Sequence, residues 1–301
     1  MTWYLKLKQN YKAYLLTGYA FLLLVHFVFK DYTHPVSVIY YCFPTPILIG
    51  IGLVLAILSF RKKLYFSVIS LVVLLLVFHW FNAYYYTNTT DENAKSKILF
   101  WNVAKEELFP IDIIIQEVKQ NQPQILAFVE AKYLTENEVN TLSKALPEFE
   151  FKDLYSHMLV GVKGNIIDDK LYSVEKSHEV YLINSFINNK TVNLIIADVY
   201  AYPFIDKEPP LHRILEIAKQ NEVSIIVGDF NTPYESVHFH NYFNHYKSFH
   251  SYCNGFTATW PLGIPLFEID HVWISNKFTP VSIEKKYFSV SDHALLIAEF
   301  Y

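Results

Sequence analysis

The chain has 301 residues, 52% hydrophobic and 17% aromatic, with a formal net charge of −4 at pH 7. That length holds one large domain or two small ones. The absence of a basic excess argues against a general nucleic-acid binder, which carries a Lys/Arg-rich stripe. The only two cysteines, Cys42 and Cys253, exclude a disulfide framework and a Cys-based zinc motif.

In chain order, three apolar runs come first. "YLLTGYAFLLLVHFVF" (14–29), "VSVIYYCFPTPILIGIGLVLAILSF" (36–60) and "LYFSVISLVVLLLVFHWFNAYYY" (64–86) contain no Asp, Glu, Lys or Arg. The second and third exceed the roughly 20 residues that cross a bilayer, and the first is short for it. We read a transmembrane domain, 1–86, with three helices at about 14–29, 36–60 and 64–86. The other reading is a signal peptide followed by core helices. Lys6, Lys8 and Lys12 precede the first run, and Arg61, Lys62 and Lys63 fill the turn before the third. The positive-inside rule then predicts an integral, multi-pass membrane protein with a cytoplasmic N-terminus and everything after Tyr86 extracytoplasmic.

Charge divides at the same place. Residues 1–86 carry seven Lys/Arg against one acid; residues 87–301 carry 18 against 28, and Arg213 is the one arginine among those 18. Residues 87–96 read as a polar linker and 97–301 as a second domain.

In that domain "KILFWNV" (97–103) predicts a strand, 109–122 a helix by its apolar spacing, and "PQILAFVE" (123–130) a strand. Thr135 with Glu138 forms a capping-box signature for a helix over 135–146. Strands follow at 158–164 and on both sides of Asn188–Asn189 within 180–202, a hairpin signal. A helix over 210–222 and strands at 224–230, 269–275 and 294–300 complete an α/β sandwich with mixed sheets and helices outside.

Several of these strands begin or end in polar residues: Asn102, Glu130, Asp229 with Asn231, Asp270, and Asp292 with His293. Each singly has a structural explanation, such as a turn cap or an acceptor of backbone hydrogen bonds. Together, carboxylates, amides and a histidine at loop-bearing strand ends make a hard-cation site beside a proton-handling group.

The ordered set "WNV", "FVEA", "GDFN", "IDHVWIS" and "SDH" resembles the endonuclease/exonuclease/phosphatase superfamily over about 97–301. "FTATWPLG" (256–263) before "IDHVWIS" is similar to bacterial members anchored by N-terminal membrane helices. The resemblance implies a four-layer, DNase I-like α/β sandwich. It implies that Glu130 is the main ligand of Mg²⁺ or Mn²⁺, with Asn102 close by and Asp292 near the metal. Asp229 would orient and deprotonate the attacking water, and Asn231 would hold the phosphate or the nucleophile. His293 would hydrogen-bond to the phosphate, with Asp270 fixing the imidazole. Many members carry a histidine where this chain reads "LIIADVYAYP" (194–203); Tyr200 or Tyr202 takes the slot, or Asp198 does, and Tyr200 is favoured.

The expected function is therefore that of a membrane-anchored, metal-dependent phosphoesterase acting on a lipid head group or small phosphoester. The alternatives are an extracytoplasmic nuclease, or a catalytically impaired binding protein of the same fold. In "VHFHNYFNHYKSFHSY" (237–252), His238 and His240 admit a metal reading. Tyr242, Phe243, Tyr246 and Phe249 admit either a membrane interface or a core.

Overall fold

The computed structural model describes residues 2–88, 96–103, 108–175 and 177–301, with side chains from residue 11 onward except residue 12. The side chains of Lys6, Lys8 and Lys12 and linker residues 89–95 lie outside the described residues. The chain divides into two compact units, Met1–Tyr85 and Tyr86–Tyr301.

The first unit is helical. Helix α1 (Thr2–Leu24) continues into a π-helical turn, Val25–Phe29, which ends at Lys30. Then come α2 (Val36–Cys42), α3 (Thr45–Ser59) and α4 (Lys63–Tyr84). Three membrane-crossing helices were expected, and the structure corrects this. Among the described residues, only α4 is long and apolar enough by itself. The run at 36–60 is split at Phe43–Pro44 into a pair bent by 77°, because Pro44 has no N–H and disfavours helix at the residue before it. The first run contributes a shorter apolar stretch, Ala13–Phe29. Tyr19, Leu48, Leu55, Ile69, Val73 and Leu76 form the buried seam of α1, α3 and α4.

After a two-residue β1 (Tyr85–Tyr86), the second unit runs β2 (Ser96–Asn102), α5 (Ile111–Asn121), β3 (Ile125–Val129), α6 (Glu136–Ala145), β4 (Glu150–Leu154), β5 (Met158–Val162), β6 (Gly164–Val174), β7 (His178–Ile187) and β8 (Lys190–Val199). It continues with α7 (Glu208–Gln220), β9 (Ile225–Asp229), β10 (Tyr246–Ser248), β11 (Gly255–Phe256), β12 (Asp270–Ser275), β13 (Pro280–Lys286) and β14 (Leu295–Phe300). One sheet has the order β10-β12-β9-β8-β7-β6 and the other β13-β14-β2-β3-β5-β4. Their facing sides share one core that includes Phe100, Ala127, Val160, Ile183, Ile196, Val227 and Val272. Helix α7 covers the outer face of the first sheet through Leu211, Ile214, Ile217 and Ala218. Helices α5 and α6 cover that of the second through Ile114, Val118 and Leu142. The result is a mixed α/β sandwich of four layers.

The sequence missed β4, β6, β10 and β13. Each is an edge strand. Edge strands carry polar side chains on both faces, which weakens the alternation that marks a strand. The capping box at Thr135 and Glu138 is formed. Asn188 and Asn189 turn the β7–β8 hairpin with φ of 50° and 62°, the left-handed pair that a tight hairpin requires. Gly228 is fixed by close approach: a Cβ there would stand 2.0 Å from the Ala197 carbonyl oxygen on β8.

Tyr242, Tyr246 and Phe249 are core residues; Tyr242 and Tyr246 donate to the Leu211 and Val223 carbonyls. Of that aromatic group only Phe243 is exposed. Cys42 is exposed and Cys253 buried, both unpaired in any disulfide.

Candidate active site

Side-chain period decides which polar residues meet. In β9, Ile225 and Val227 face the inter-sheet core, so Asp229 points the same way at the strand's end. In β2, Ile98 and Phe100 place Asn102 on that side. In β8, Leu194 and Ile196 do so for Asp198, and in β12, Val272 and Ile274 do so for Asp270. Register then brings them side by side: Asp229 is the pairing partner of both Asp270 and Asp198.

Asn102 is buried and joins the two sheets. Its Nδ2 donates to Glu130 Oε1 at 3.1 Å and to Asp229 Oδ2 at 2.9 Å. Glu130 follows β3 with φ of 53°, which swings it out of the strand's line. Its Oε2 accepts from Lys132 Nζ at 2.7 Å. Carboxylate oxygens of Glu130, Asp198 and Asp229 lie within 4.8 Å of one another. Three hard oxygen donors at that spacing suit a divalent cation such as Mg²⁺ or Mn²⁺.

Asp270, Asp229 and His293 are as closely grouped, and within this second group Asp270 and His293 form a directly paired dyad. Asp270 Oδ2 lies 2.9 Å from His293 Nδ1, and His293 Nε2 lies 3.8 Å from Asp229 Oδ2. Burial by itself disfavours the imidazolium. The Asp270 charge and hydrogen bond, followed by Asp229 and Asp292, override it and raise the His293 pKa to about 10. The Asp229 carboxyl is pushed up to about 7, first by burial and then by Asp270, against the pull of His293, the Asn231 N–H and Asn102. Asp198 rises well above the usual range through burial and the charges of Asp229 and Glu130.

Three expected positions differ. Asn231, expected with Asp229 at the strand end, lies past it: β9 ends at Asp229 and Asn231 takes φ of 46°. Its N–H donates to Asp229 Oδ1 at 2.8 Å and its Nδ2 to the Val199 carbonyl at 2.8 Å. Asp292 belongs to neither cluster; its Oδ2 accepts from Trp260 Nε1 at 2.8 Å. Tyr200 lies past the end of β8 and half-exposed, so Asp198 is the residue of this segment that enters the acidic cluster. None of His238, His240, His245 and His250 belongs to a metal-ligand grouping among the described residues. His250 instead pairs with the buried Glu268 at 2.6 Å.

A cleft of about 410 Å³ opens beside the cluster, lined by Glu130, Lys132, His157, His178, Asp198 and Tyr200 among others. Sequence reasoning missed Lys132, His157 and His178, because nothing local marks a residue as cleft-lining. It also missed Lys207, almost fully buried, whose Nζ donates to the Tyr200 carbonyl. Burial lowers its pKa to about 8, against the opposing pull of Asp229 and Asp198. Ser291, inside "SVSDH", was passed over too: its hydroxyl donates to the Asn102 carbonyl at 2.7 Å and accepts the His293 N–H at 3.0 Å.

Comparison with solved structures gives the same fold at low identity. Human nocturnin's catalytic domain aligns at a TM-score of 0.56 and 12% identity, covering 71% of this chain and 95% of that one. A humanized Danio rerio TDP2 aligns at 0.55 and 13%, covering 68% and 98%. A Bacteroides thetaiotaomicron mannosyl-6-phosphatase aligns at 0.52 and 10%, covering 69% and 100%. A search of curated protein sequences finds no match. The sequence profile of the Endonuclease/Exonuclease/phosphatase family matches residues 99–293, a span that holds Asn102, Glu130, Asp229, Asp270 and His293, and the chain belongs to that family.

Proposed function

We propose that the chain is a divalent-metal-dependent phosphoesterase whose substrate is a small or lipid-linked phosphoester. The observation that carries this is the placement of Asp229. It stands between the Asp270–His293 pair and the Glu130–Asp198 oxygens, with Asn102 bridging it to Glu130.

Glu130 and Asp198, with Asn102 beside them, would hold the cation. When bound, it withdraws charge from a phosphate oxygen. Asp229 orients the attacking water and takes its proton. His293 donates from Nε2 to a phosphate oxygen and steadies the charge that develops there. Asp270 holds Nδ1 and so aims the ring. Lys132 and Tyr200 flank the cleft that receives the rest of the substrate.

The cleft's volume falls in the range of small-molecule sites. The acidic second unit, with one arginine, weakens long-range attraction for DNA. With Mg²⁺ or Mn²⁺ and matched, moderate salt, the detergent-purified full chain is expected to show a higher kcat/KM on sugar phosphates, nucleotides or phospholipids than on duplex DNA. Faster DNA hydrolysis that falls steeply with added salt would promote the nuclease reading.

We also place the catalytic unit outside the cytoplasm, because the basic Arg61, Lys62 and Lys63 stand at the N-terminal end of α4, the one helix among the described residues that is long and apolar enough by itself to cross a membrane. A reporter that matures only in the cytoplasm, fused after Tyr301, is expected to stay dark. A bright fusion reverses the topology and directs the substrate search to cytoplasmic phosphoesters.

A further inference from the structure

The proposed reaction leaves "FTATWPLG" without a role, yet its centre bonds to the backbone of Asp270 and to that of Ala294, the residue after His293. Asp270 opens β12 in one sheet, and His293 precedes β14 in the other. Thr259 lies in neither sheet and is buried. Its Oγ1 accepts the backbone N–H groups of Ile269 and Asp270, both at 3.1 Å. Its carbonyl accepts the N–H of Ala294 at 2.9 Å, and its own N–H donates to the Phe267 carbonyl at 2.8 Å. The next residue extends the brace. Trp260 Nε1 bonds to Asp292 Oδ2, and its ring centroid lies 6.5 Å from that of His293. The Leu262 N–H donates to the Asp292 carbonyl at 2.8 Å.

We propose that Thr259, seconded by Trp260, is a positioning residue that sets the distance between Asp270 and His293 by tying the backbone of one sheet's strand to that of the other. The side chain fits the task. A hydroxyl oxygen has two lone pairs and can take two N–H groups at once, and branching at Cβ restricts χ1 and holds that oxygen in place. Valine has the same shape without the acceptor. Serine keeps the acceptor without the methyl group. Trp260 acts on the residue before His293 and so has the smaller share. The effect on turnover rests on the phosphoesterase reading; the effect on the dyad rests on geometry alone.

The test uses the full chain with the substitutions Thr259→Val, Thr259→Ser and Trp260→Phe. In the absence of added cation, the proton between His293 Nδ1 and Asp270 is followed as a downfield proton NMR resonance, assigned by its loss in His293→Ala. The resonance is expected in the wild type and in Thr259→Ser, and to shift or broaden away in Thr259→Val. With Mg²⁺ and bis(4-nitrophenyl) phosphate, Thr259→Val is expected to lower kcat about 10²-fold, as misplacement of a reacting group does, with KM little changed. Thr259→Ser should recover most of that loss, and Trp260→Phe should fall between.

A Thr259→Val chain with the wild-type resonance and kcat overturns the proposal, and so does a Thr259→Ser chain that loses both. A Thr259→Val chain that fails to fold overturns it as well, because Thr259 would then serve the fold and not the dyad. If the wild type turns over no phosphoester while the resonance responds as described, the positioning role stands and the phosphoesterase reading falls.

Discussion

Asp229→Asn is expected to lower phosphoester turnover by about 10²–10⁴-fold, the usual worth of a positioned general base, while the chain stays folded. The amide keeps the shape of the carboxylate but cannot take a proton from water. Stability should change little, because two effects oppose each other. The substitution weakens the hydrogen bond that Asp229 Oδ2 accepts from Asn102. It also removes a buried charge next to Asp270. The Asp229 carboxyl ionises near pH 7 in the fold against an ordinary 3.8, so the folded state holds its proton more tightly than the unfolded chain does. Ionising it therefore costs stability progressively as pH rises from about 4 to about 7, and the substituted amide removes that cost. Assays and melting curves at pH 8 check both parts. Wild-type turnover by Asp229→Asn removes the base from the scheme, and a midpoint lower by more than about 5 °C assigns the lost activity to damage of the fold.

Excess chelator is expected to abolish turnover, added Mg²⁺ or Mn²⁺ to restore it, and Glu130→Gln to lower it by about 10²–10³-fold, the scale of losing one preorganised electrostatic contact to the transition state. Glutamine keeps the size of the side chain and gives up the charge that faces Asp198 and Asp229. The substitution also releases Lys132 from its 2.7 Å pair with Glu130. That pair is partly exposed, with side-chain accessibilities of 52% and 24%, so its loss alone costs little stability. Lys132→Gln is the control that separates the two effects: a loss as large as that of Glu130→Gln would point to Lys132, through its ion pair or its place in the cleft, and not to the cation. Full turnover in chelator would remove the metal from the mechanism altogether.

Much of this site is legible in the chain because its parts are local. Asn102, Glu130, Asp229, Asp270 and His293 each stand at the edge of an apolar run, where a carboxylate, amide or imidazole has no reason to be for the core's sake. The central strands are legible for the same reason: residues buried on both faces leave an unbroken apolar signal. What only the tertiary structure decided begins where the strands stop. Beyond Asp229 the side-chain period no longer applies, and a left-handed φ turns Asn231 toward Val199. Asp292 goes to Trp260, 32 positions away, which no spacing foretells. Asp198 enters the acidic cluster because its register partner is Asp229, and pairing between β8 and β9 is a property of the sheet. The aromatic run from Tyr242 to Phe249 looks the same whether it faces lipid or a core; α7 and the sandwich interior settle it by covering Tyr242, Tyr246 and Phe249 and leaving Phe243 in solvent. A sequence states which residues are costly to bury, and the fold determines which of them share one small volume where that cost becomes chemistry.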